Sequence, residues 1–359
     1  MKLMRVIFWG VFVAMLCVQS SLADMQAGRD AYNRGDYQVA LQEWTALANQ
    51  GEAVAQFYVG TMYYEGTGVP QNYKEAAKWY SFAAREGHPY AQINLGNLYS
   101  NGLGMPQDHK AALYWYESAA EYGLTIANLN IGNIYAEGQG SIPQNYDKAL
   151  KYYRLAAEQD DAQGQYNLAS GYFYGRGVEK NIELAIDWLR KSATQGYVNA
   201  QANLGTLYLG GEEVTPNYDE SAKWLNLAAE QSHALAQYNL GLSYHEGYGV
   251  QKNIAKALEW YQQAAQQGAP HAQVNLGGLY WNGEGVAQDS AKACHWFLLA
   301  AEQGFDQAQH NIAVCFERGK GVPKDPDNAI TWYRRAAKQG YEDSILALKH
   351  YAQNPNTAD

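Results

Sequence analysis

Small, apolar and aromatic positions recur along this chain with a period of 36 residues. Each recurrence opens on a small residue, at Ala55, Ala91, Ala127, Gly164, Ala200, Ala236, Ala272 and Ala308, and a single longer step of 37 follows Ala127. Residues 55–90 serve as the specimen. Ala55, Val59, Met62 and Tyr63 fall at helical spacing and predict a helix A. Gly66-Thr67-Gly68 stops it, because glycine tolerates the positive φ that a helix end uses. Asn72 then starts helix B as its N-cap, and Asn or Asp stands at that place in every repeat: Asn72, Asp108, Asn145, Asn181, Asn217, Asn253, Asp289 and Asp325. Helix B puts Ala76, Ala77, Trp79, Tyr80, Ala83 and Ala84 on one broad face and stops at Gly87.

One such hairpin cannot bury its apolar face alone, so the repeats must stack. The expected fold is all-α, a right-handed α/α superhelical solenoid. Nearest-neighbour stacking needs no larger core as a chain lengthens, so the 359 residues read as one elongated domain. Gly60 and the Ala83-Ala84 pair let helices approach closely, with Trp79 and Tyr63 expected to fill the space between them. The tryptophan returns as Trp115, Trp188, Trp224, Trp260, Trp296 and Trp332, broken only by Tyr152, and this series reads as core.

At the ends the pattern changes. Residues 1–23 carry Lys2 and Arg5, an apolar run from Val6 to Val18, and the small residues around Ala23, which together predict a secretory signal peptide. That run is shorter than the roughly 20 residues that a bilayer span needs. A lipoprotein signal at Cys17 is disfavoured by the bulky Leu16 before it. Residues 24–52 read as a shorter helical hairpin with its turn at Gly35-Asp36, residues 53–343 as the eight repeats, 344–352 as a capping helix and 353–359 as a disordered tail.

Charge narrows the partners. Removing residues 1–23 removes two bases and no acid, taking the net charge from −10 to −12. Such a surface repels phosphate backbones, so nucleic acid is not expected as a partner. Two cysteines then remain, Cys294 on a helix B and Cys315 on the next helix A, which leaves open both one disulfide and two buried thiols.

The elements AxAQxxxG, Tyr, GxGV, Asn/Asp, Ala, Trp-Tyr and Ala-Ala-x-x-Gly, at this spacing, resemble the Sel1-like repeat, a relative of the tetratricopeptide repeat with a longer loop between its helices. Residues Ala236 to His271 show nearly every element. The resemblance implies an adaptor that assembles protein complexes. Exported bacterial members include host-cell-entry factors and regulators of envelope or exopolysaccharide systems, and some cysteine-rich members are linked to β-lactam hydrolysis. This chain departs from those last members in lacking cysteine pairs in each repeat. It also departs from the repeat pattern at Glu212-Glu213, at Ala169 and Ala313 in place of the helix A glycine, and at the inserted Ser141.

No chemistry rises above this architecture. A dinucleotide fingerprint needs a third glycine, a preceding strand and a helix opening on the phosphate, and the recurring GxG has none of these. The histidines are scattered without metal-ligand spacing, and no serine or cysteine nucleophile set stands out, so neither an enzyme nor a cofactor or metal is expected. Helix A carries an amide at Gln56, Gln92, Asn128, Gln165, Gln201, Gln237, Gln273 and Gln309, and Asn two residues later from Asn94 onward. Asparagine is a poor helix former, so these ladders call for hydrogen-bonding partners on adjacent helices or loops.

The recognition surface is expected where helix A varies. Positions two, six and nine after the opening residue share a face and bring Phe57, Tyr64, Tyr166, Phe173, Tyr238, His245 and Trp281 to the concave wall, a set suited to a protein or peptide partner. A monomer exported to the periplasm or beyond is the expected state.

Overall fold

The computed structural model describes residues 24–211 and 213–353. The predicted signal peptide lies outside these residues, as do 354–359 of the predicted tail. Every element among the described residues is helical, and packing divides them into two compact units, up to Asn181 and from Ile182, where the sequence reads as one domain.

The first unit opens with α1 (24–34) and α2 (Tyr37–Ala48), joined at Gly35-Asp36. The A helices α3 (Ala53–Glu65), α5 (Pro89–Asn101), α7 (Thr125–Glu137) and α9 (Ala162–Tyr174) then alternate with the B helices α4 (Tyr73–Arg85), α6 (His109–Ala120) and α8 (Tyr146–Glu158). The second unit begins with B helix α10 (Ile182–Thr194). Its A helices are α11 (Val198–Tyr208), α13 (Ala234–Glu246), α15 (Pro270–Asn282) and α17 (Asp306–Arg318), and its further B helices are α12 (Tyr218–Glu230), α14 (Ile254–Gln266), α16 (Ser290–Glu302) and α18 (Pro326–Lys338). A last helix, α19 (Glu342–Gln353), follows and takes in the first residue assigned to the tail.

Helix boundaries follow the side chains that can satisfy terminal backbone groups. Asn72, Asp108, Asn145, Asn217, Asn253, Asp289 and Asp325 each accept a backbone N–H from the first turn of helix B. Seven A helices end on a left-handed glycine after thirteen residues, as at Gly66 and Gly247. Near Glu212-Glu213 the glycine cap is lost, and α11 stops after eleven residues with Leu209 still right-handed. The second loop glycine is architectural too: a β-carbon on Gly104 or Gly249 would collide with the backbone opening the preceding B helix, at Tyr73 or Tyr218.

The ring that meets the helix A glycine is not the tryptophan. Tyr80 lies across Gly60, Tyr116 across Gly96, Tyr153 across Gly132, Tyr261 across Gly241 and Phe297 across Gly277. These residues, one position after the Trp series, are the buried aromatic column. Trp79, Trp224 and Trp332 are buried beside it, whereas Trp115, Trp188, Trp260 and Trp296 are only half-buried, which corrects the reading of the whole series as core. Roughly 100° of helical rotation separates the two columns, and that turns the tryptophans toward the basic side chains of helix B. Lys191 sits 3.9 Å from the Trp188 ring and Arg335 4.3 Å from Trp332.

Cys294 on α16 and Cys315 on α17 are bridged, with both side chains fully buried.

Candidate functional site

The buried tyrosines organise the A-helix face. Desolvation pushes the hydroxyls of Tyr80 and Tyr116 up to about 12 and raises Tyr153 as well, so all remain protonated donors. Tyr80 donates to Thr61 at 3.1 Å, Tyr116 to Asn97 at 2.6 Å and Tyr153 to Asn133 at 2.8 Å. Thr61, Asn97 and Asn133 are the position-six residues of helix A, so that part of the expected recognition face is spent on the core.

Positions two and nine flank the same rings. Phe57 and Tyr64 lie 5.9 and 6.5 Å from Tyr80, and Tyr238 and His245 lie 6.0 and 6.1 Å from Tyr261. Trp281 stands 6.4 Å from Phe297 and receives Lys320 at 4.8 Å on its ring. Phe173 packs against Tyr174 and Lys180, and Tyr166 is half-buried on the same helix. Within each unit these side chains form local clusters, and Phe57, Tyr64, Tyr238, His245 and Trp281 flank a buried ring, with Tyr64 the most open.

In the second unit His245 connects two of these layers. Its Nδ1 meets the Tyr261 hydroxyl at 3.4 Å and its Nε2 lies 3.6 Å from Glu284, in the loop after α15. In the first unit Phe57 lines a cavity of about 300 Å³ between α1, α2 and α3 with Arg29, Tyr32, Trp44, Tyr58 and Glu65. Trp44 stacks on Tyr58 at 4.6 Å, and Arg29 sits 5.8 Å from the Tyr58 ring. The sequence pointed to Phe57 but missed the rest, because Arg29, Tyr32 and Trp44 belong to the divergent first hairpin, where the 36-residue register does not run.

A second concavity went unforeseen. Arg190, Thr194, Gln201, Lys223, Trp224 and Leu227 line an open groove of about 670 Å³ between α10, α11 and α12. The only trace of it in the sequence is the mixed charge beside a tryptophan read as core.

The two amide ladders are structural. Gln92 donates to Ala84, Gln201 to Ala193, Gln237 to Ala229 and Gln273 to Ala265, each reaching the last turn of the preceding B helix at 3.1 to 3.2 Å. Asn239 donates to Thr206 of the previous A helix at 2.8 Å. Among the described residues no group of three or more His, Cys, Asp or Glu side chains could hold a metal ion, and no helix is long and apolar enough to cross a membrane.

The Sel1 repeat is matched eight times in succession, at residues 53–88, 89–123, 125–161, 162–197, 198–233, 234–268, 270–305 and 306–341. The chain belongs to the Sel1 repeat family. A protective antigen of uropathogenic Escherichia coli that displays the same repeat fold is 34% identical, with a TM-score of 0.80 over 87% of this chain and 67% of that one. A Sel1 repeat protein from Oxalobacter formigenes is 32% identical, with a TM-score of 0.60 over 68% of this chain and 99% of that one. No curated protein matches. Sel1 repeat proteins are in general protein-interaction scaffolds.

Proposed function

We propose that this Sel1 repeat protein is an exported, non-enzymatic scaffold that captures a protein partner on the A-helix face, in the service of contact with a host cell. The observation that carries the binding reading is the aromatic cavity around Phe57, where Tyr32, Trp44 and Tyr58 surround about 300 Å³ beside Arg29 and Glu65. Aromatic and arginine side chains in a concave setting are the usual anchors of protein interfaces. The Cys294–Cys315 bridge supports export, since disulfides persist in oxidising compartments. Likeness to a protective antigen supports a place at the bacterial surface or beyond it.

Crosslinking capture with tagged protein, from bacteria alone and in contact with host cells, tests this. A partner recovered on contact, and lost on replacing Phe57 and Tyr58 by Ala in a protein that still melts cooperatively, supports host engagement. Recovery of an envelope protein in both settings replaces that reading with an envelope regulator. Mass spectrometry of the mature N-terminus tests export: a chain retaining residues 1–23 overturns it.

A further inference from the structure

The turns leading from each B helix to the next A helix are unusually bare in the first unit. Tyr90 and Tyr122 are each 56% exposed and Ile126 47%. Phe57 stacks on His88 at 4.6 Å, Tyr90 lies within 6.5 Å of both rings, and the Tyr122 hydroxyl sits directly over Gly87. An apolar strip therefore crosses successive turns. In the corresponding turns of the second unit, Leu235 is the large hydrophobic side chain left exposed among the described residues.

The strip is set in negative charge. Residues 49–54, 85–90, 121–126 and 158–163 contain Glu52, Glu86, Glu121, Glu158, Asp160 and Asp161 against Arg85. His88 does not offset them, because burial lowers its affinity for a proton and its Nδ1 accepts the Ala91 N–H as a neutral ring. An acidic edge of this kind is repelled by anionic lipid, so a membrane surface is a poor occupant.

A third feature lies beneath. Gln56 and Gln92 are about 95% buried, and their amide N–H groups are engaged by Ala48 and Ala84, yet both Oε1 atoms lack a donor. In the second unit a glutamine from the turn supplies it: Gln231 to Gln201, Gln267 to Gln237, Gln303 to Gln273 and Gln339 to Gln309, at 2.7 to 3.0 Å. The equivalent positions over Gln56 and Gln92 are Glu86 and Tyr122. A carboxylate has no proton to offer, and the tyrosine hydroxyl lies beside Gly87 instead. Buried acceptors without donors are costly, so this edge lacks a donor that the chain itself does not provide.

We propose that the B-to-A turns of the first unit form a docking edge for a basic partner segment in which Lys or Arg alternates with apolar residues. Apolar side chains of the segment cover Tyr90, Tyr122 and Ile126. Its cations pair with Glu86 and Glu121, and drawing the Glu86 side chain aside opens a path for an N–H donor to the amide oxygen below. The proposal rests on the scaffold reading and uses a surface that meets the Phe57 cavity only at the Phe57 ring, and so names the chemistry of one partner segment.

The test is titration of the purified full chain with a fluorescein-labelled peptide alternating lysine with leucine and tryptophan, beside its glutamate counterpart. The expected result is at least tenfold tighter binding of the lysine peptide, weakening with salt. Glu86→Lys with Glu121→Lys, and separately Tyr90→Ser with Tyr122→Ser, each weaken it at least tenfold while cooperative melting persists, whereas Tyr114→Ser with Leu155→Ser, on exposed faces of α6 and α8, leaves it unchanged. Equal binding of the two peptides, or indifference to both edge variants, overturns the docking edge. If peptide binding fails while the Phe57 and Tyr58 variants still abolish partner capture, the edge alone falls; if capture fails as well, the scaffold reading falls with it.

Discussion

Tyr80 lies across Gly60 so closely that a β-carbon on residue 60 would stand 2.7 Å from the tyrosine ring. The same contact recurs where Tyr116 meets Gly96 and where Tyr261 meets Gly241, so the helix A glycine sets how near each hairpin can close. In the last repeat Ala313 takes the glycine's place opposite Tyr333, and both remain fully buried.

Adding the methyl group separates steric need from mere helix content. Gly60→Ala and Gly241→Ala each destabilise by about 1–3 kcal/mol in chemical unfolding, the usual cost of overpacking. Gly278→Ala does the opposite and stabilises by about 0.5–1 kcal/mol, because it is helical and nothing stands within 4 Å of its added carbon. If all three variants shift the same way, the packing argument fails.

The unpaired oxygens of Gln56 and Gln92 make a second prediction. Glu86→Gln and Tyr122→Gln supply the donor found in the later repeats, and each raises stability by about 1 kcal/mol. Gln267→Glu removes a donor from Gln237 and lowers it by a similar amount. Melting temperatures of the three variants check both directions.

Reduction tests the bridge. Cys294 and Cys315 are 21 residues apart in sequence, and closing a loop of that order stabilises by about 3 kcal/mol. Dithiothreitol, or Cys294→Ala with Cys315→Ala, lowers the melting temperature, and peptide mapping without reductant recovers the linked pair.

Acid weakens the fold through three half-buried histidines. His88 and His233 accept backbone N–H groups at the starts of α5 and α13, and His310 contacts Ser344 at 2.9 Å. Burial holds all three below the 6.5 of an unfolded histidine. As pH falls through 6.5 the unfolded chain takes up protons that the folded chain refuses, so stability is full above that value and declines below it. Asparagine keeps a cap acceptor without titrating. His88→Asn with His233→Asn therefore flattens the fall in melting temperature between pH 7 and 5.

What the sequence shows best is what a side chain does locally. Asn72 and Asp289 announce helix starts because a short side-chain acceptor has one physical use there. The pairing of Gly60 was harder to read: Trp79 and Tyr80 are adjacent aromatic columns, and composition does not say which column turns inward. The amide partners were missed for another reason. Gln231 and Gln201 are 30 residues apart, yet the row Gln231, Gln267, Gln303, Gln339 runs in register with the buried glutamines and carried the signal. Phe57 was visible as a variable aromatic, but its cavity depends on Trp44 and on a hairpin outside the repeat.

The buried glutamines of the second unit also give its stack a polarity. Gln201 donates back to the B helix that precedes it and accepts from the turn that ends its own hairpin, and Gln237, Gln273 and Gln309 do the same. A deletion that removes whole hairpins from the C-terminal side leaves Gln201, and each later glutamine that remains, with both of its partners. The same deletion from the N-terminal side strips a buried N–H of its carbonyl, so fragments pared from opposite ends are unequal, and those that keep their beginning are the ones to survive.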